Sequence, residues 1–246
     1  LGNYFKSVIA TNFFYSNFFF WKTVPYFESE AKLEPLLHTW SLSIEEQFYI
    51  IFPIFLIFVY KFFRNKIYTS FLIIFFSSLA FCHWAAINTS GVLNFYFSPS
   101  RAWELCLGSI AAYLYLKKNK KYINFKYKNL LSFLGIFLIL FSIFFFDDEI
   151  LYPSLYTLVP TFGTVLIILY SEKSFLKKIL SNQIIVFIGL ISFSFYLWHQ
   201  PLLVFGKIYF ENFNTEIKFI LICISLILSY LSWQFVEKKF RNKDIV

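Results

Sequence analysis

The stretch PLLHTWSLSIEEQFYIIFP, residues 35–53, begins with polar side chains and ends in a run of Ile and Phe. The apolar part continues to residue 63, giving about twenty residues, the length of a helix that crosses the hydrocarbon core of a bilayer. Similar runs recur along the whole chain. Of its 246 residues, 59% are hydrophobic, 37 are Phe and only 15% are charged. This pattern predicts an all-α, polytopic membrane helix bundle.

The apolar runs define eight predicted membrane spans. No repeat, low-complexity linker or composition break separates them, so residues 1–246 are predicted to form a single membrane-embedded domain. The predicted spans are residues 4–21, 44–63, 67–87, 99–116, 130–146, 155–170, 184–206 and 217–236.

The basic residues predict how these spans are oriented. Of the 22 Lys and Arg, 17 fall in one set of alternating loops and five in the other. Because basic loops remain in the cytoplasm, both ends of the chain are predicted to be cytoplasmic. The net charge of +8 is therefore interpreted as a topology signal with anionic lipid contacts, and nucleic acid is not an expected partner.

Four polar residues, His38, Glu45, Glu46 and Gln47, precede or enter the second predicted span on its outer side. Ser43 and Glu46 have the spacing of a capping box, which would make Glu46 structural. That interpretation leaves the other residues unexplained. Ionisable groups at the edge of hydrocarbon usually face a polar cavity, and a carboxylate beside an imidazole can orient it as a general base. His38, Glu45 and Glu46 are therefore candidate catalytic residues.

Two further polar stretches approach the same outer side. In SPSRAWE, Ser98 and Pro99 suit a helix start, while Arg101 and Glu104 can form an ion pair on one helix face. In YLWHQP, His199 precedes a proline that leaves a helical carbonyl without its donor. For both stretches, a role limited to helix stability is the alternative.

The remaining histidine and the cysteines are interpreted as structural. His83 lies between Cys82 and Trp84 near a predicted membrane interface, where such residues are common. All three cysteines fall in apolar runs, and no spacing of His and Cys is typical of zinc ligation. No metal site is predicted.

Taken in order, four stretches resemble the acyltransferase 3 family of bacterial multi-spanning acyltransferases, a family that includes O-antigen, lipopolysaccharide and other envelope-polysaccharide O-acetylases. The stretches are PLLHTWSLSIEEQFYIIFP, SPSRAWELCLGSIAAYL, IGLISFSFYLWHQPL and SWQFVEKKFRN. The resemblance implies an inner-membrane enzyme that transfers an acyl group, commonly acetyl from acetyl-CoA, to a hydroxyl of an envelope polysaccharide or a lipid-linked sugar. It implies no bound cofactor, with acyl-CoA as co-substrate.

The resemblance also implies roles and missing parts. His38, Glu45 and Glu46 are expected to activate or orient the acceptor hydroxyl. The residues expected to bind substrate are Trp40, Gln47, Arg101, Glu104 and His199. Family members typically have ten spans, so the first two spans are expected to be missing from this sequence. An arginine and a histidine that the family carries in its first helix are expected to be missing with them. The SGNH-type hydrolase-like domain of some members is also expected to be absent. This chain alone is therefore expected to be inactive.

Three other classes of membrane protein compete with the enzyme interpretation. A flippase or transporter for lipid-linked sugars also places polar residues beside a cavity, but such residues usually lie near the midplane. The second class is a polysaccharide polymerase, which would need a large outer loop. The third class is a purely structural subunit. Covalent chemistry separates these classes, because only an acyltransferase adds ester-linked acyl groups.

Overall fold

The structure is a computed structural model and describes residues 2–23, 33–89, 91–117, 126–147 and 150–241. Within these ranges the regular structure is helical, with no strand, which confirms the predicted all-α class. The basic residues of the topology prediction that lie outside the described residues are Lys32, Lys118, Lys120, Lys121 and Lys243. Sidedness therefore stays a prediction.

Twelve α-helices are found in the described part of the chain and are numbered in order. They are α1 Gly2–Asn12, α2 Ser16–Thr23, α3 Thr39–Phe63, α4 Ile67–Asn88, α5 Val92–Tyr96, α6 Ser98–Lys117, α7 Lys128–Phe145, α8 Leu158–Tyr170, α9 Phe175–Leu180, α10 Gln183–Tyr209, α11 Thr215–Ser232 and α12 Lys238–Phe240. A π-helical segment, Trp233–Glu237, joins the last two.

Five described stretches are long and apolar enough to cross a membrane. They are Thr39–Asn88, Lys128–Phe145, Leu155–Lys173, Gln183–Tyr209 and Thr215–Phe240. The first contains both α3 and α4, joined by a 3-10 turn at Arg64–Lys66. Helix α6 has the length of a span, but its first two turns carry the polar stretch SPSRAWE, and it is not among the five.

The predicted first span, residues 4–21, is wrong as one continuous helix. The chain breaks between α1 and α2, where Phe14 has a φ of 57°. This left-handed conformation is unfavourable for a residue with a Cβ atom and cannot continue a right-handed helix. Apolar periodicity in the sequence does not reveal such a break, because both short helices remain apolar.

Large apolar side chains cover the outer surfaces of the long helices. On α3, for example, Ile51, Ile54 and Ile57 are 63%, 65% and 69% exposed. A water-exposed helix would carry charged side chains at these positions, whereas a lipid-exposed helix carries apolar ones. The chain is therefore a membrane protein.

The chain divides into two compact units. The first comprises Leu1–Leu42 and Ser181–Val246, and the second comprises Ser43–Leu180. In the first unit α10 packs on α11, and polar contacts reinforce this pair. The Trp198 indole N–H donates to the Ser232 hydroxyl at 2.9 Å, and the buried Ser194 hydroxyl donates to the Glu237 carboxylate.

The second unit is built around helix pairs, α4 with α6 and α7 with α8. Its core lies between α4 and α6. The buried residues of this core are Phe71, Phe75, Leu79, Cys82, Trp103, Cys106, Leu107 and Ile110. The Ser78 hydroxyl links the two helices. It donates to the Pro99 carbonyl at 2.6 Å and accepts from the main-chain N–H of Trp103 at 3.0 Å. This contact fixes the N-terminal end of α6, where Arg101 and Glu104 lie.

Helices α7 and α8 cross at two glycines. A Cβ atom added to Gly163 would lie 2.7 Å from the Gly135 carbonyl oxygen. We expect Gly163→Ala to destabilise the protein by about 1–3 kcal/mol, because one backbone must move away from the other. Thermal unfolding of the purified protein in detergent checks this expectation.

The matched control is Gly189→Ala on α10, where an added Cβ meets nothing within 4 Å. Alanine is favoured over glycine inside a helix, so this variant should be as stable as the wild type or slightly more stable. Equal melting temperatures for the two variants would show that the crossing tolerates a wider spacing.

Candidate active site

His38 lies in the turn that leads directly into α3. The Thr39 N–H donates to the Leu36 carbonyl at 3.0 Å and the Trp40 N–H to the Leu37 carbonyl at 3.2 Å, so the turn continues as helix from Thr39. The alternative interpretation of Ser43 and Glu46 as a capping box is therefore wrong, because both lie inside the helix rather than at its start. The hydroxyl of Thr39 anchors the turn by donating to the Leu36 carbonyl at 2.7 Å.

The turn is held against α1 and α2 by small polar side chains. The hydroxyl oxygen of Thr39 lies 3.0 Å from that of Thr11 and 3.2 Å from that of Ser16. Thr39 and Ser16 are both buried. His38 directly precedes Thr39, so this network fixes the backbone that carries the His38 imidazole. A fixed backbone helps to orient the ring.

The His38 imidazole packs edge-on against two aromatic rings of α10. Its ring centroid lies 4.8 Å from that of Tyr196 and 5.6 Å from that of His199. Both ring nitrogens are buried, and neither has a hydrogen-bond partner among the described residues. Burial, and to a smaller extent the neighbouring His199, lower the pKa of His38 to about 4. His38 is therefore neutral at pH 7 and offers an unprotonated nitrogen.

His199 has a defined tautomer in its neutral form. Its Nδ1 lies 3.0 Å from the Phe195 carbonyl oxygen, which can only accept a hydrogen bond. Nδ1 therefore carries the hydrogen, and the lone pair that can take a proton is on Nε2. His38 and His199, which were predicted from separate sequence motifs, thus lie together. For His199, the proton-accepting nitrogen is assigned as Nε2.

Tyr196 and Ser41 also belong to this cluster, and neither was predicted from the sequence. The Tyr196 hydroxyl donates to the His38 carbonyl and lies 2.8 Å from the Ser41 hydroxyl. Tyr196 precedes His199 by three residues, so a helical interpretation of YLWHQP places both on one face. That spacing was the available signal for Tyr196.

In the second unit, the predicted ion pair between Arg101 and Glu104 is confirmed. Arg101 Nη2 and Nε lie 2.9 and 3.2 Å from the same oxygen, Oε2, of Glu104. Arg101 also donates to the Tyr152 hydroxyl at 3.3 Å, and its guanidinium lies 5.3 Å from the Tyr152 ring centroid and 5.9 Å from that of Phe95. These rings and the carboxylate hold a cation that is largely withdrawn from solvent.

Glu104 retains one unused acceptor. Its Oε1 atom is buried and has no hydrogen-bond partner among the residues that the structure describes. A buried carboxylate oxygen without a donor is unfavourable unless a ligand or water supplies one. This atom can accept a hydrogen bond from a ligand hydroxyl, and the substrate-binding role of Glu104 stays a prediction.

Gln47 lies at the edge of an apolar cavity within the second unit. Its side-chain oxygen accepts from the Ser98 hydroxyl. Both residues line a cavity of about 280 Å³ whose other walls are mainly the apolar side chains Ile44, Phe48, Ile51, Phe52, Phe55, Ile74, Pro99, Ala102 and Leu105. The cavity therefore has one polar edge, at which Gln47 can meet a polar group of a ligand.

The other predicted site residues, Trp40, Glu45 and Glu46, lie in the first two turns of α3 and are partly buried. His38 belongs to the first unit and the two glutamates to the second, and the association of His38 with Glu45 and Glu46 stays a prediction. Within the described ranges, no three His, Cys, Asp or Glu side chains are grouped as metal ligands.

Comparison with known proteins identifies the family to which this chain belongs. The profile of the acyltransferase 3 family, described as an acyltransferase domain, matches residues 4–234. The chain belongs to this family. Among relatives, it is 32% identical over 256 residues to the O-acetyltransferase OatA of Staphylococcus aureus strains NCTC 8325 and COL. No solved structure matches the chain.

The match covers 97% of this chain but 41% of each OatA sequence, so the chain spans about two fifths of the length of these curated relatives. The family match includes residues of both units. The predicted acyltransferase class is therefore confirmed at the level of the domain.

Proposed function

We propose that this domain performs O-acyl transfer at a bacterial inner membrane, moving an acetyl group from acetyl-CoA to a hydroxyl of an envelope polysaccharide or glycolipid. The observation that carries the proposal is the His38–His199 pair, in which two imidazoles lie 5.6 Å apart in a membrane protein of the acyltransferase 3 family. Histidine is the usual general base for activating a hydroxyl. The names of the relatives, O-acetyltransferases, support acetyl as the acyl group.

The His pair can carry the proton movements of the reaction. One imidazole nitrogen takes the proton of the acceptor hydroxyl as its oxygen attacks the thioester carbonyl carbon. The new C–O ester bond forms, the C–S bond breaks, and the proton passes to the leaving thiolate. Because His38 is neutral at pH 7, the pair begins with an unprotonated nitrogen available.

Arg101 and Glu104 are proposed to bind substrate. A guanidinium donates hydrogen bonds and a carboxylate accepts them, so the pair matches the alternating donors and acceptors of a sugar. The unused Glu104 Oε1 supports this role. Glu45, Glu46, Trp40 and Gln47 retain the catalytic and substrate-binding roles predicted for them.

The proposed sidedness rests on the charge pattern. Basic loops are predicted to lie in the cytoplasm, where acetyl-CoA is found, and the polar motifs on the outer side with the glycan. The thioester end of acetyl-CoA must therefore reach the outer half of the protein, where the acceptor hydroxyl attacks it.

Deleting the complete gene tests the proposal. We expect envelope glycans to lose an ester-linked acetyl group, detected by mass spectrometry, and to regain it when the full gene is restored. Unchanged esterification with accumulation of lipid-linked precursors would instead support a flippase.

A further inference from the structure

The Tyr196 hydroxyl connects α10 to the turn that carries His38. It donates to the His38 main-chain carbonyl and lies 2.8 Å from the Ser41 hydroxyl, one turn further along the chain. Since the phenol proton is used on the carbonyl, the Ser41 hydroxyl donates to the phenol oxygen. Tyr196 therefore fixes this segment at two points, on either side of the start of α3.

His38 needs such an anchor because its ring lacks the usual one. A catalytic histidine is commonly oriented by a hydrogen bond to one ring nitrogen, which leaves the other nitrogen to react. Neither ring nitrogen of His38 has a hydrogen-bond partner among the described residues. Its orientation is set instead by the backbone position and by ring contacts, of which the Tyr196 edge contact at 4.8 Å is closer than the His199 contact at 5.6 Å.

We propose that Tyr196 is a positioning residue, which holds the His38 imidazole against His199 through the hydroxyl contact with the His38 carbonyl and through its ring. This inference rests on the proposed function, because it assigns a role within the same His pair. Tyr196 acts through His38 and does not itself react with substrate.

The test is Tyr196→Phe in the full-length protein, assayed for acetyl transfer. Phenylalanine keeps the ring contact and removes only the hydroxyl. We expect kcat to fall by about 10- to 100-fold, the size of effect that a small misplacement of a catalytic group produces, while KM changes less than about threefold. The matched control is Tyr209→Phe on the same helix, because Tyr209 is 81% exposed.

A double variant separates positioning from a general structural effect. If Tyr196 acts through His38, then Tyr196→Phe with His38→Ala should be no less active than His38→Ala alone. Losses that multiply in the double variant would overturn the proposal. Wild-type activity in Tyr196→Phe would also overturn it and leave acyl transfer intact, whereas a wild-type protein that transfers no acetyl group would overturn both.

Discussion

Replacing His38 with Ala is expected to lower kcat/KM for acyl transfer by about 10²- to 10⁴-fold, the contribution of a positioned general base. The reason is the environment of this histidine. Its ring nitrogens are buried, it is neutral at pH 7, and it lies beside a second histidine with an assigned proton-accepting nitrogen. A steady-state assay of the complete protein with labelled acetyl-CoA measures the effect.

His83→Ala is the control for this experiment. His83 is on α4, in the second unit, and no role in the reaction is proposed for it. We expect this variant to keep kcat/KM within about threefold of the wild type, since it removes no transition-state contact. If His38→Ala and His83→Ala have equal activities, His38 is not the base.

Removing Arg101 is expected to cost about 3–5 kcal/mol of stability, because it leaves the charge of Glu104 buried and without its cation. The two side chains are only 11% and 20% exposed. Arg101→Gln should therefore show a strongly reduced melting temperature in detergent and reduced abundance in the membrane.

The double variant Arg101→Gln with Glu104→Gln tests whether the unpaired charge of Glu104 causes the loss of stability. It removes both charges, so most of the lost stability should return, while substrate binding remains impaired. Arg64→Gln serves as the control, because Arg64 is exposed at the turn between α3 and α4. A double variant as unstable as Arg101→Gln alone would mean that Arg101 stabilises the fold mainly through Tyr152 and Phe95.

The long helices could be predicted because each is a nearly continuous apolar run, and lipid exposure imposes that composition on a spanning helix. The Arg101–Glu104 contact was also predictable, since residues three apart on a helix are neighbours. Both predictions depend only on local spacing. They succeed without knowledge of how the helices pack.

The errors and omissions have different physical origins. The break at Phe14 depends on one backbone angle, which composition does not encode. The start of α3 depends on the preceding turn, which shifts the helix ahead of the apparent capping box. The contact between Tyr196 and His38 joins residues 158 positions apart, so no window of sequence contains it.

The proposed chemistry depends on a histidine pair whose members come from two distant motifs. The sequence identified His38 from its position at the edge of an apolar run and His199 from the proline that follows it within a predicted span. The structure places their rings 5.6 Å apart. Their separate selection and their contact support a shared role. The tautomer of His199 could not be predicted from the sequence, because it is assigned from the hydrogen bond between Nδ1 and the Phe195 carbonyl.

The most direct test of the central proposal uses the complete protein in liposomes that contain a glycan acceptor, with acetyl-CoA labelled in the acetyl group. We predict that the label moves to the acceptor as an alkali-labile ester, and that His38→Ala abolishes nearly all of this transfer. If the label remains in acetyl-CoA while the acceptor itself crosses the bilayer, the proposal of acyl transfer is contradicted.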